Sequence, residues 1–256
     1  MTRTEDIIRD IHPTDLLHEE DTVVEEFDSK EDFIEYIRQH PREEFDLDIF
    51  FENIKNPNID KEHVEQVRNT VRNNLIKRGI ITGVIYEGYK YDIEGDIVDY
   101  AELATGNPKC MLKPVKKYDK YFYELYVNMS IPWVVQDDEI VDGAIRLAET
   151  IRALEELHIE IKINVVMFSR GMFTNDKNYL FIMPLMSHLD YKDVNSIVPF
   201  VDSIMFRTAM WTAMRNAGDT VESLGRATKL TNTVNLWELD EEELARGILV
   251  DLGLED

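Results

Sequence analysis

Cysteine is almost absent: Cys110 is the only one in 256 residues. A lone thiol excludes an internal disulfide and any multi-cysteine metal centre. Long apolar runs are missing as well. No stretch reaches the roughly 18–20 residues that a membrane helix requires, and the first residues lack the apolar core of a secretory leader. Glycine is sparse at 11 residues, and neither Gly-x-Gly-x-x-Gly nor a Walker pattern occurs. Glycine-built phosphate cradles are therefore excluded. The histidines (His12, His18, His40, His63, His158 and His188) show no metal-ligand spacing such as two on one helix face. Basic charge is in short supply too, with 28 Lys and Arg against 51 Asp and Glu, a net of −23. Such a field favours solubility and opposes non-specific binding to nucleic-acid phosphates. Together these absences predict a soluble, cytoplasmic protein with no cofactor and no bound metal.

What is present is a chain long enough for a proper core, 44% hydrophobic and 10% aromatic. Its acid is concentrated at the ends. Residues 1–60 carry a net of −13 and residues 238–256 a net of −7, so the middle is close to neutral. This distribution predicts three segments: an acidic, mainly helical region over 1–79, an α/β core over 80–218, and an acidic tail with one helix over 219–256. Helix signals recur in the first segment. Ser29 and Asp32 resemble a capping pair before Phe33, Ile34 and Ile37, and Pro41 stops that helix. Phe45 to Ile54 reads as a short helix or docking segment. Asp60 caps a longer helix to Arg78, with Val64, Val67, Val71 and Leu75 at helical spacing and Gly79 at its C-terminal cap.

The strongest fold signal lies between Tyr121 and Arg170. An apolar strand ending in Asn128-Met-Ser130 feeds an amphipathic helix over Asp137–Leu157, and a second apolar strand runs from Ile159 to Arg170. Strand, helix, strand is a βαβ unit, and its small polar residues fall at the C-terminal edge of the sheet, where open α/β folds place ligands. Upstream, Ile80 to Ile85 is strand-like, residues 86–99 read as strands broken at Gly88 and Gly95, and Ala101 to Pro108 reads as a helical turn. Downstream, Tyr179 to Met186 is a further strand whose Pro184 argues for an edge position or a strand end. A buried helix follows over Ser196–Asn216, with Pro199 in its first turn and Met205, Met210 and Met214 as core packing. Asp240 to Leu252 forms the last helix.

Three groups of residues are candidates for chemistry. Asn128 and Ser130 stand where the von Willebrand factor A fold places Asp-x-Ser-x-Ser, a carboxylate and two hydroxyls that hold a divalent cation. Here Asn replaces the acid and Pro132 the second hydroxyl, so the pair is expected to bind partners or satisfy the turn, together with Ser169 and Arg170 beyond the second strand. Asp92, Asp96 and Asp99 suggest a calcium loop, but Ile93, Ile97 and Val98 break the ligand run, which leaves a strand-ending turn. Lys109, Lys113, Lys116, Lys117 and Lys120, interleaved with Tyr118, Tyr121 and Tyr123, have the composition of a single-stranded DNA or RNA groove, with cations on phosphates and rings on bases. The same pattern also suits lysines facing water before a strand whose rings face the core. A metal-dependent hydrolase would need clustered acids and a base, which the sequence does not assemble.

One stretch carries a resemblance. Tyr91-Asp-Ile-Glu-Gly-Asp-Ile-Val-Asp, a short helix, Gly106-Asn-Pro-Lys-Cys110 and then Val127-Asn-Met-Ser130 are similar to a motif in an uncharacterised family of phage and mobile-element proteins. The resemblance covers roughly Ile80 to Asn216. That family looks like a degenerate von Willebrand A-type domain. It implies a phage origin and a non-enzymatic accessory protein that docks a protein partner near Asn128, Ser130 and Ser169 and through its acidic ends. A single-stranded nucleic acid binding protein, serving a replication or transcription machine, is the alternative.

Overall fold

The computed structural model describes residues 22–40, 46–57, 59–81, 89–93, 97–114, 120–131, 134–170, 178–201, 212 and 233–255. In chain order the first elements are β1 (Thr22–Glu26), α1 (Lys30–Gln39), α2 (Leu47–Lys55), α3 (Lys61–Lys77), β2 (Tyr89–Asp92), β3 (Ile97–Val98), α4 (Tyr100–Ala104) and β4 (Met111–Pro114). Then come β5 (Tyr121–Asn128), α5 (Asp137–Glu155), β6 (Ile159–Arg170), β7 (Asn178–Met186), α6 (Val194–Val201), β8 (Val234–Asn235), a 3-10 turn over Leu236–Glu238 and α7 (Glu241–Asp251). The fold is α/β. A mixed five-stranded sheet has the order β1-β7-β6-β5-β8, and a three-stranded antiparallel sheet has the order β2-β4-β3. Among the described residues no helix is long and apolar enough to cross a membrane.

Local chemistry fixes where the helices begin. The Ser29 hydroxyl accepts the Asp32 N–H at 3.1 Å, and the carboxylates of Asp46, Asp60 and Asp240 each accept N–H groups from the first turn of α2, α3 and α7. Each cap satisfies donors that the helix itself leaves unpaired. Gly79, at φ +75°, closes α3 as expected.

Alternation builds the sheet. In β6, Ile159, Ile161, Ile163, Val165 and Met167 point to one face, while Val166 and Phe168 point to the other. The first face joins a large core that takes Phe33, Ile37, Phe50, Val67, Val71 and Leu75 from the N-terminal region and Leu236, Ala245, Ile248 and Leu249 from the tail. Every described helix except α4 contributes to it. The three segments that charge marks out in the sequence thus share one core. The opposite face carries a smaller cluster of Val166, Phe168, Leu180 and Ile182, flanked by Val24 and Tyr126.

Helix α5 is the hub. Its Gly143 meets the 3-10 turn so closely that a Cβ there would lie 2.1 Å from the Leu236 carbonyl oxygen. On its outer side, charged groups tie it to α3 and α7. Arg68 grips the buried Glu149 through two nitrogens at 3.0 and 3.1 Å, and Arg72 grips Glu156 in the same bidentate way. Arg146 reaches Glu241 at 3.0 Å, Asn74 donates to the same carboxylate at 2.8 Å, and Arg78 pairs with Glu242. Two of the tail's acids are therefore paired with cations from other helices, Glu241 in a buried position and Glu242 at the surface.

Several expectations change. The mainly helical N-terminal region also supplies an unexpected strand: β1 lies parallel to β7 from Thr22↔Asn178 to Glu26↔Ile182. β7 consequently sits inside the sheet, not at its edge. Pro184 is tolerated because it faces Asn164 where the β6–β7 register slips, two residues before the strand ends. Helix α6 starts at Val194, which puts Pro199 in its interior. The expected strand over 80–85 begins with a turn at Ile80 and Ile81, both buried, and continues outside the described residues, as do Met205, Met210 and Met214.

Candidate functional site

Strand β5 has parallel neighbours on both sides, β6 and β8. Its C-terminal end is the kind of crevice where α/β sheets bind ligands. Asn128 occupies that end, fully buried, in register with Asn235 of β8 and Val166 of β6. Its amide nitrogen donates to Asn235 Oδ1 at 3.0 Å, and its Oδ1 accepts the Ser130 N–H at 2.9 Å. Ser130, 5% exposed, prolongs the ladder after the strand has ended. Its Oγ accepts the Phe168 N–H at 2.7 Å and donates to the Phe168 carbonyl at 2.9 Å. The corner is thus a set of hydrogen bonds that pins β5 to β6 and β8, and its polar atoms point into the protein.

Ser169 and Arg170 close β6, their backbones paired with Tyr179 and Asn178 of β7. The structure therefore brings Ser130 and the end of β6 together, as the βαβ reading expects. Asn235, the side-chain partner of Asn128, is the residue that the sequence does not reveal.

The lysine–aromatic stretch divides. Tyr121 and Tyr123 lie on the helix-covered face of β5, half-buried against the main core. The Tyr123 hydroxyl donates to Asp251 of α7 at 2.7 Å, and burial first, then that bond, holds its pKa well above the usual phenol range. Lys120 is exposed and paired with Glu160. Lys109 is exposed on the approach to β4, and Lys113 lies in β4 opposite Lys90. Lys116, Lys117 and Tyr118 lie outside the described residues.

The small sheet accounts for much of the Tyr91–Cys110 motif. β2 and β3 both pair with β4, so Asp92, Met111 and Val98 form one row. In the next row the Asp99 N–H donates to the Cys110 carbonyl at 2.8 Å, and the Asp99 carboxylate accepts the Glu102 N–H at the start of α4. Glu102 accepts from the Asn107 amide at 2.7 Å, Asn107 accepts the Lys109 N–H, and Gly106 turns the chain at φ +78°. Acids, amide and glycine at this spacing make one closed turn, the structural role expected of Asp99, while Asp92 ends β2 and Asp96 lies outside the described residues. At this end of the sheet Tyr100 is 76% exposed, Ile93 66% and Leu103 50%. Tyr100 and Leu103, three apart, share one side of α4. Among the described side chains, none from 89–114 joins either apolar cluster.

No curated protein and no solved structure matches this sequence. A family model does, over residues 13–256, which takes in both sheets and every described helix. The chain belongs to that family, described as a domain of unknown function, DUF7192.

Proposed function

We propose that this chain is a non-enzymatic, phage-encoded accessory protein, a degenerate von Willebrand A-like domain that docks a protein partner. The observation that carries the docking role is the small sheet. It is closed by its own hydrogen bonds, lies outside both apolar clusters among the described side chains, and turns Tyr100 and Leu103 to solvent. Exposed aromatic and aliphatic groups on an ordered support are what interface centres use. The degenerate character is supported by the β5 corner. Asn128 stands in place of a metal-binding acid, and the polar atoms of Asn128 and Ser130 are engaged within the fold.

This reading moves the docking surface away from Asn128, Ser130 and Ser169 and away from Glu241 and Glu242, which pair internally. A photo-crosslinking residue at Tyr100, in extract of infected host cells, is expected to trap one defined protein. The Leu103→Ser change should weaken binding of that purified protein at least tenfold. A purified partner that binds both forms equally, and leaves the backbone of 97–104 unprotected in hydrogen exchange, would remove the small sheet from the interface. The nucleic-acid alternative has less support, since Tyr123 and Lys120 are engaged by Asp251 and Glu160. Salt-sensitive binding of a single-stranded oligonucleotide, lost on changing Lys109 and Lys113 to Ala, would reverse that order.

A further inference from the structure

We draw no further inference here: the strongest candidate, the second face of the five-stranded sheet, where the buried Asn164 amide nitrogen has no hydrogen-bond partner among the described residues and the apolar cluster of Val166, Phe168, Leu180 and Ile182 follows it, carries nothing because the structure does not show what covers that face.

Discussion

The two sheets of this protein solve the same problem in opposite ways. The five-stranded sheet collects residues from both ends of the chain into one core, and its polar edge is tied inward through Asn128, Ser130 and Asn235. The three-stranded sheet carries local hydrogen bonds around Asp99, Glu102 and Asn107, and it leaves Tyr100 and Leu103 in water. Burial thus makes the corner that looks like a binding site a structural joint, while the small sheet keeps exposed the groups on which the proposed docking rests.

That contrast can be broken most sharply at glycine. Gly143→Ala drives a methyl group into the Leu236 carbonyl, a fixed backbone atom, and should cost about 3 kcal/mol in urea unfolding. Gly106→Ala meets no neighbour but must hold a left-handed conformation, which costs about 1–2 kcal/mol locally. Its cost should appear as faster amide exchange over 97–111, with little change in the global midpoint. Equal shifts in the global midpoint from the two changes would mean that the sheets unfold as one unit.

Asn128→Asp comes next. A carboxylate at this fully buried position resists ionisation, so its folded pKa rises above the unfolded value of about 3.9. The folded state then binds the proton more tightly, and stability relative to wild type should fall as pH rises above about 4, by more than 1 kcal/mol at pH 7. If the corner descends from a metal-holding one, magnesium should raise the melting temperature of this variant and leave that of the wild type unchanged.

A smaller effect is expected at Tyr123. Its raised pKa means that the unfolded chain loses the phenol proton first, above about pH 10, so stability should decline with further rise in pH. Tyr123→Phe removes both this alkaline slope and the bond to Asp251, which contributes about 1 kcal/mol. Comparing the two proteins by urea titration between pH 8 and 11 isolates the phenol. Smallest of all, Tyr100→Ser and Leu103→Ser should each change stability by less than about 0.5 kcal/mol, because neither side chain is buried.

What the sequence reveals follows from how local each cause is. Caps at Ser29, Asp60 and Asp240 act within three residues, so α1, α3 and α7 are legible from the chain. The βαβ unit is legible because its period changes from two to 3.6 and back. β1 is not, for Thr-Val-Val-Glu-Glu is short, ends in two acids and is paired with residues far along the chain. Asn235 is hidden for the same reason: only register across β5 and β8 makes it the partner of Asn128. The lysine–tyrosine run shows the limit from the other side. Its composition is visible, while Glu160 and Asp251, which engage Lys120 and Tyr123, come from distant elements.

The parallel pairing of β1 with β7 also bears on how the molecule is made. Thr22 leaves the ribosome long before Asn178, its neighbour in the sheet. During that interval the growing chain carries an unmatched strand and an open flank on the future core, and closing so wide a loop is slow. Synthesis, more than the finished fold, is therefore the stage at which this protein is most exposed to aggregation and most in need of chaperones.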